Sequence, residues 1–321
     1  MLDDSPITTR AARRRKLAEH RRDPLRVRRA LNRCGKCGPA PAVDAIRDYD
    51  GDTKVEDRRT FAEKFLAVPG SSCAVLIDTP RLSGTFAFLD GRGRRVRTER
   101  GRLTLDPACI AGIVLQWAID LEGRGAGAYA AACAQLERLA VVNHPSKEEL
   151  ESAGWRPLER EAERAAARFT RCAARELGLD LAQLAPPRIR VFQCWLHEAI
   201  EALTDGGRPI CVVWADFCGL RRKLQYPRDV LKDIVDRAAG AGAASFMFTF
   251  CLRDKDRPGI SEIARQQVND EEIGTLGLPF GLVVTNSGKY SGEQASHMQH
   301  IRLERPDVES SSPDASPIEF E

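Results

Sequence analysis

The sequence predicts an α/β protein with a doubly wound, mainly parallel sheet, a C-terminal antiparallel hairpin and an N-terminal extension. From residue 106 onward, short apolar segments alternate with longer amphipathic ones, which is typical of strands and helices in an α/β fold. The apolar segments are nearly continuous, as expected for strands covered on both faces. Near the C-terminus, two strand-like segments at 280–290 and 296–305 follow each other, which indicates a hairpin.

The elements of the alternating region follow from these patterns. Strands are expected at 117–122, 139–143, 189–194, 210–216 and 245–251. Helices are expected at 128–136, 157–177, 196–203 and 227–239, and another begins at Asp106 with Pro107 in its first turn. Upstream, "AVLIDTP" (74–80) predicts a buried strand, and 83–105 predicts strands joined by a Gly-rich turn.

Composition divides the chain into four parts. We expect a basic arm at 1–45, a small extension or subdomain at 46–105, the sheet domain at 106–305 and a disordered acidic tail at 306–321. Residues 1–36 carry twelve Arg or Lys against four acids. Such a charge excess suggests contact with the phosphates of DNA or RNA, although a solvated, disordered arm would look the same.

The composition also excludes several classes of protein. Of the 321 residues, 43% are hydrophobic and 30% are charged, as in soluble globular proteins. No apolar run reaches membrane-spanning length, and the Arg-rich N-terminus lacks the apolar segment of a secretory signal. We therefore expect no membrane partner and a cytoplasmic location.

The ten cysteines mostly lie within apolar runs, which indicates buried thiols rather than a disulfide framework. Cys34 and Cys37 have the spacing of half a zinc site, but no second pair follows. The histidines are scattered, and we expect no bound metal.

A run of alternate glycines is the most suggestive motif. Glu122 and Gly123, Gly125 and Gly127 follow a predicted strand and open a predicted helix. Glycines at such a bend let the backbone turn sharply and approach a ligand, and the helix N-terminus favours negative charge. Dinucleotides and S-adenosylmethionine are both bound in this way, whereas a plain Gly-rich turn is the alternative.

Two further strand ends carry polar residues. Asn143 ends the next predicted strand, where nucleotide-binding folds usually place a ribose-binding acid; an amide can bond a hydroxyl, but it also suits the start of a turn. Asp216 and Phe217 end the buried run "CVVWADF". Because open α/β sheets bind ligands beyond the carboxyl ends of their strands, Asp216 could orient a substrate or accept a proton. Its alternative role is to cap the next segment.

This order of motifs resembles the S-adenosylmethionine-dependent methyltransferases with a Rossmann-like, seven-strand sheet. The resemblance covers 106–305, about two thirds of the chain, and it implies S-adenosylmethionine as the cofactor. It assigns cofactor contacts to the first strand loop, the ribose to the second strand end, the adenine to the third and a catalytic role to the fourth. In this chain, the first strand loop corresponds to Glu122, Gly123, Gly125 and Gly127, and the second strand end corresponds to Asn143. The third strand end corresponds to Cys194 and Trp195, and the fourth to Asp216 and Phe217.

The resemblance implies methyl transfer to a nucleic acid or another macromolecule, and the basic arm favours the nucleic acid. Two departures matter: Asn143 replaces the usual acid, and "DFCG" shares only its acid and its aromatic residue with the Asp-Pro-Pro-Tyr-type motif of amino-methylating enzymes. A catalytically silent binding module with the same fold therefore remains an alternative. An NAD(P)-binding enzyme is less favoured, because Asn143 and His144 supply no acid for the ribose. If the glycine loop binds the cofactor, Gly125→Asp should abolish this binding.

Overall fold

A seven-stranded sheet forms the centre of the protein, in a computed structural model that describes residues 52–68, 70–96, 102–144, 157–217, 228–252, 261–289 and 298–306. The strand order is β5-β4-β1-β6-β7-β9-β8. The strands of this sheet are β1 (Cys73–Ile77), β4 (Leu139–Val142), β5 (Arg190–Phe192), β6 (Ile210–Asp216), β7 (Ser245–Cys251), β8 (Val283–Lys289) and β9 (Met298–Glu304). A separate antiparallel pair consists of β2 (Phe88–Leu89) and β3 (Thr104–Leu105).

Seven α-helices accompany the strands within the described residues. They are α1 (Asp52–Ala67), α2 (Ile110–Glu122), α3 (Ala126–Leu136), α4 (Leu158–Leu177), α5 (Leu196–Asp205), α6 (Arg228–Gly240) and α7 (Glu262–Gly277). Short 3₁₀ turns occupy Leu181–Gln183 and Leu278–Phe280.

The strand directions confirm the predicted fold class. β5, β4, β1, β6 and β7 are parallel, whereas β9 pairs antiparallel with β7 and β8 antiparallel with β9. From β1 the chain passes outward to β4 and β5, then returns to β6 on the other side of β1. The order of strands thus reverses between β1 and β6, which is where folds of this kind bind ligands.

The central strands β1, β4 and β6 are buried on both faces, which explains why they are almost wholly apolar. On one face, residues of β1, β4, β6 and β7 form a core with α5, α6 and α7. On the other face, α1 packs on β6, where the Phe61 ring centroid lies 5.7 Å from that of Trp214.

Helix α1 is also joined to β9 by charge. Asp57, only 1% exposed, lies 3.0 Å from the Arg302 guanidinium and 3.5 Å from His300. Two helical turns further on, the Lys64 ammonium lies 3.4 Å from the Glu304 carboxylate. Burial of Asp57 is tolerated because the Arg302 guanidinium compensates for its lost hydration.

Two sequence-based predictions were wrong. The strand expected at 117–122 is the second half of helix α2, which begins at Ile110 rather than at Asp106. The first strand is instead β1, which hydrogen-bonds to both β4 and β6 at the centre of the sheet. Residues 73–77, which the sequence placed in the extension at 46–105, thus belong to the sheet.

The remaining strands are confirmed. β6 and β7 have the predicted bounds, and β4 and β5 fall within theirs. The predicted terminal hairpin is formed by β8 and β9. The basic arm and the tail beyond Pro306 lie outside the described residues. Within the part of the chain that is described, no helix is both long and apolar enough to span a membrane.

Candidate functional site

The candidate site lies at the carboxyl edge of the sheet, the edge at which its parallel strands end. Ligands of open α/β sheets bind beyond this edge, at the point where the strand order reverses. In this protein, Asp78 follows β1, Asn143 follows β4, Gln193 follows β5 and Asp216 ends β6. The topology therefore brings four polar residues from distant parts of the sequence to one edge.

Asp78 closes the loop that follows β1. Its carboxylate accepts hydrogen bonds from the backbone N–H groups of Thr79 (2.6 Å), Gly84 (2.9 Å) and Thr85 (2.7 Å), and from the Thr85 hydroxyl (2.8 Å). A Cβ on Gly84 would lie 3.1 Å from an oxygen of this carboxylate. Glycine at 84 thus lets the loop close tightly on the buried acid.

The same loop lies against the N-terminus of helix α2. Leu82 has a positive φ of 55°, a conformation that glycine adopts more readily than leucine, and its side chain is fully buried. The first helical N–H groups, those of Ile110 and Ala111, donate to the carbonyls of Gly84 (3.2 Å) and Thr85 (2.9 Å). The loop of residues 78–85 (the β1 loop) therefore lies beside a helix N-terminus, which favours a negatively charged ligand group.

Asn143, which follows β4, hydrogen-bonds to the ends of the two strands on either side, β1 and β5. Its side-chain amide donates to the Asp78 carbonyl at 2.8 Å, and its backbone N–H donates to the Phe192 carbonyl at 2.9 Å. The residue expected to contact a ribose thus lies at the expected strand end, where one of its amide donors also holds β1.

An aromatic pair lies beside Asn143. The rings of His144 and Trp195 are stacked with centroids 3.7 Å apart and an interplanar angle of 15°. His144 follows β4 and Trp195 follows β5, so the pair bridges the second and third strand ends. The sequence predicted Trp195 as a site residue but not His144.

Cys194 precedes this pair and is half-buried. Burial, and to a smaller extent the nearby Glu198 carboxylate, raise the pKa of the Cys194 thiol to about 11. The thiol therefore stays neutral at physiological pH and offers a packing contact rather than a nucleophile.

The Lys54 ammonium lies 2.8 Å from the Asp216 carboxylate at the end of β6. Both side chains are largely buried, with exposures of 23% and 12%. Lys54 belongs to α1, so this helix contributes directly to the carboxyl edge. The pair fixes the position of the carboxylate that the sequence proposed as catalytic.

Phe217 directly follows Asp216, but its side chain lies in the core. Its side chain is 3% exposed and stacks on Phe250 with ring centroids 5.6 Å apart. Both rings belong to the core beneath the sheet. Phe217 therefore packs in the core of this fold.

The glycine run lies away from the carboxyl edge. Gly123 ends helix α2 and Gly125 caps α3, so Glu122, Gly123, Gly125 and Gly127 form a helix-to-helix turn. Helix α2 starts at the β1 loop and extends for 13 residues, or about 20 Å, before it reaches this turn. Beside the turn, Arg124 donates to the Glu176 carbonyl at 3.0 Å. The premise of a strand before these glycines is wrong, and the β1 loop occupies the position expected for them.

The sequence did contain a signal for the missed residues. "AVLID" has the same form as "VVWAD", an apolar strand that ends directly in an acid. Lys54 and His144 gave no such signal, because only tertiary contacts bring them to the edge.

Among the described residues, no group of three or more His, Cys, Asp or Glu side chains could hold a metal ion. Cys34 and Cys37, the half zinc site, lie outside these residues.

Comparison with known proteins found no matching family model and no matching curated protein. Solved structures that align with the chain include a methyltransferase dependent on S-adenosylmethionine from Agrobacterium tumefaciens, at 13% identity and a TM-score of 0.37. That alignment covers 78% of this chain and 62% of the other, so the chain spans less than two thirds of that protein.

Two further alignments cover nearly the whole of the other protein. Magnesium protoporphyrin IX methyltransferase from Synechocystis PCC 6803, with bound S-adenosylmethionine, aligns at 11% identity and a TM-score of 0.36, over 88% of this chain and 96% of that one. The N-methyltransferase NodS from Bradyrhizobium japonicum aligns at 12% identity and a TM-score of 0.35, over 87% and 98%. With every one of these TM-scores below 0.5, the fold assignment rests on the strand order, in which seven strands close with an antiparallel hairpin.

Proposed function

We propose that this protein is an S-adenosylmethionine-dependent methyltransferase that acts on a nucleic acid or another macromolecule. The observation that carries the proposal is the β1 loop. It closes on buried Asp78 beside the N-terminus of α2, at the reversal of strand order. The loop lies at the place where α/β sheets bind nucleotide-like ligands, with the positive end of a helix dipole beside it.

The residues at the carboxyl edge suit the parts of this cofactor by their chemistry. Thr79, Ser83 and Asn143 carry hydroxyl and amide groups, which match ribose hydroxyls and the polar amino-acid end. The stacked rings of His144 and Trp195 match a planar base, which packs well on aromatic faces. When bound, S-adenosylmethionine would supply an electrophilic methyl group.

The protein's own part in the reaction is mainly to position the acceptor and exclude water. Asp216 can accept a hydrogen bond from an acceptor N–H or O–H group and so orient its lone pair. Lys54 holds the carboxylate in place through their 2.8 Å ion pair. The nucleic-acid acceptor is supported by the twelve basic residues within 1–36.

Calorimetry with S-adenosylmethionine, S-adenosylhomocysteine, NAD and NADP tests the proposal. We expect saturable binding of the first two alone. Asp216→Asn should preserve this binding and lower methyl transfer to a nucleic-acid acceptor, because it retains the shape but weakens the hydrogen-bond acceptor. If none of the four ligands binds to the folded protein, the proposal is wrong.

A catalytically silent binding module is the second candidate. This alternative is favoured by Asn143, because its side-chain amide already donates a hydrogen bond to the Asp78 carbonyl at 2.8 Å. The amide therefore has less hydrogen-bonding capacity left for a ribose. A silent module predicts no methyl transfer to any DNA or RNA acceptor, even when a nucleic acid is bound.

The basic arm has its own test. Nucleic-acid binding that does not weaken with added salt, or that survives unchanged without residues 1–36, would exclude the arm as the contact.

A further inference from the structure

Helix α4 carries all of its basic residues on one face. These are Arg160, Arg164, Arg168, Arg171 and Arg175, called here the arginine stripe. Steps of four, four, three and four residues keep them within an arc of about 80° around the helix axis. The buried face, which includes Ala162, Phe169 and Ala173, lies on the opposite side. The helix therefore separates an apolar side that packs on the protein from a basic side.

The stripe is accessible and is extended by a neighbouring element. Four of its side chains are exposed and Arg168 is half-buried. The Arg168 guanidinium lies 5.9 Å from the centroid of the Phe88 ring, and Arg175 donates to the Leu103 carbonyl at 2.7 Å. These contacts hold the β2–β3 pair against α4 and place exposed Arg102 next to the stripe.

Acidic residues of α4 reduce this charge only at one border. Glu161 lies beside the stripe, with a carboxylate oxygen 3.8 Å from the Arg164 guanidinium. The other acids of the helix, Glu159, Glu163 and Glu176, lie about 100° or more from Arg164 around the axis. Within α4, the positive charge of the stripe is therefore offset only at this border.

The chemistry of the stripe favours phosphate. Every basic residue of α4 is Arg, whose planar guanidinium binds phosphate oxygens in pairs, whereas Lys acts as a point charge. From Arg160 to Arg175 the stripe is about 22 Å long. A nucleic-acid strand presents one phosphate per 3.4 Å of duplex axis, so about six phosphates would lie along this length.

A membrane surface fits less well. Helices that lie on anionic membranes combine basic residues with large apolar side chains that enter the lipid. Among the described residues, the large hydrophobic side chains that are exposed all lie outside α4. The stripe thus offers charge without an apolar anchor.

The stripe begins at the candidate site. The backbone N–H of Leu158, the first residue of α4, donates to the Gln193 side-chain oxygen at 3.4 Å, and Gln193 follows β5 at the carboxyl edge. We infer that the arginine stripe binds the phosphate backbone of a nucleic acid and leads it to the carboxyl edge. The binding itself needs no catalytic activity, whereas a role of this nucleic acid as methyl acceptor rests on the proposed function.

Fluorescence anisotropy of the full chain over a series of salt concentrations tests the inference, with a labelled single-stranded RNA and a labelled DNA duplex of equal length. The test variant is Arg164→Gln/Arg171→Gln, since both side chains are exposed and Gln preserves helix propensity. The control is Arg208→Gln/Arg305→Gln, which removes the same charge from exposed positions outside α4.

We expect the test variant to weaken binding by about tenfold or more and the control to stay close to the unmodified protein. The slope of log K against log salt should fall by about 1.8 for the duplex or about 1.4 for the single strand, because two phosphate contacts are lost. The stronger of the two ligands identifies the type of nucleic acid. Arg164→Lys/Arg171→Lys should keep most of the slope, because it keeps the charge.

Equal binding by the test and control variants would overturn the inference, as would binding to anionic lipid vesicles but to neither nucleic acid. Circular dichroism verifies that the helix content is retained, and the Lys variant provides a second comparison if the Gln variant does not fold. Calorimetry with S-adenosylmethionine separates the two proposals. The stripe variants should bind the cofactor as the unmodified protein does. If S-adenosylmethionine binds to none of these proteins, the proposed methyltransferase function is wrong, whereas the inference about the arginine stripe is unaffected.

Discussion

The Lys54 ammonium lies 2.8 Å from the Asp216 carboxylate, which joins the N-terminal helix α1 to the carboxyl end of β6. The same helix contacts β9 through Asp57 and Lys64 and packs on Trp214 through Phe61. Helix α1 is therefore part of the sheet domain and forms one wall of the candidate site.

Loss of the Lys54 ammonium should destabilise the protein more than loss of an exposed one. Because the pair with Asp216 is largely buried, we expect Lys54→Gln to lower the free energy of unfolding by about 1–2 kcal/mol. Lys232→Gln is the control, since Lys232 pairs with Asp236 on the exposed face of α6, and its loss should cost less than about 0.5 kcal/mol. Urea unfolding of both variants measures the difference, and equal losses would contradict it.

Two glycines in helices should respond to alanine with opposite signs. A Cβ on Gly112 would lie 2.2 Å from the Asp106 carbonyl oxygen and 2.9 Å from the Pro107 Cα, so the backbone must move. Gly112→Ala should therefore destabilise the fold by about 3 kcal/mol.

The matched variant is Gly274→Ala in α7, where the new Cβ would make an ordinary 3.5 Å contact with Val284. It should stabilise the protein by about 0.5–1 kcal/mol, because alanine has the higher helix propensity. Thermal unfolding of the two variants should give melting temperatures on opposite sides of that of the unmodified protein.

The same substitution at two other glycines locates the cofactor site. Gly84→Asp adds a carboxylate next to Asp78 and should abolish the binding of S-adenosylmethionine, since like charges would open the β1 loop. Gly125→Asp should retain binding, in contrast to the prediction from the sequence, because the turn lies about 20 Å along α2 from the β1 loop.

Gly125→Asp does have a cost of its own. At φ 149° an Asp side chain introduces strain of about 1–3 kcal/mol. Calorimetry is therefore combined with a melting curve for each variant, and loss of binding in a folded Gly125→Asp protein would restore the original assignment of the glycine run.

Alkaline pH should destabilise the protein through Cys109, the N-cap of α2. Complete burial raises the pKa of this thiol to about 11, against about 8.5 for an exposed thiol. The folded-state pKa is the higher one, so the contribution to stability is complete below about pH 8.5 and is lost as the pH rises toward about 11. The difference of about 2.5 pKa units corresponds to an expected loss of about 3 kcal/mol.

Cys109→Ser separates this effect from other titrations, because a hydroxyl can still cap the helix but does not ionise in this range. Urea unfolding across the alkaline range should show a flatter decline for the Ser variant than for the unmodified protein. Parallel declines would mean that Cys109 contributes nothing to the pH dependence.

The sequence predicted the buried strands best where their pattern was local. β6 and β7 are seven-residue apolar runs that end at Asp216 and Cys251, and both were predicted with the correct bounds. A strand covered on both faces needs such a run whatever its neighbours are. The amphipathic pattern of α4 predicted that helix to within one residue.

The misplaced first strand has a specific cause. The buried positions of α2 include Ile110, Val114 and Ala118, which recur every four residues as in a helix. The glycines that follow drew the interpretation toward a strand and its loop, although glycines also form helix-to-helix turns. The segment "AVLID" is also an apolar run that ends in an acid. Its uninterrupted apolar residues were the better evidence for a strand covered on both faces.

The sequence by itself determined the α/β class, the five segments that form the parallel strands, the closing hairpin and the presence of Asp216 at a strand end, because each depends on a pattern within one segment. Only the tertiary structure decided that β1 is the central strand, that Asp78 rather than Glu122 anchors the loop at the candidate site, and that Lys54 and His144 join it. Those facts depend on which strands hydrogen-bond to one another and which helix covers them. Such contacts join residues up to 245 positions apart, as Arg302 and Asp57 are, and no local pattern of residues encodes them.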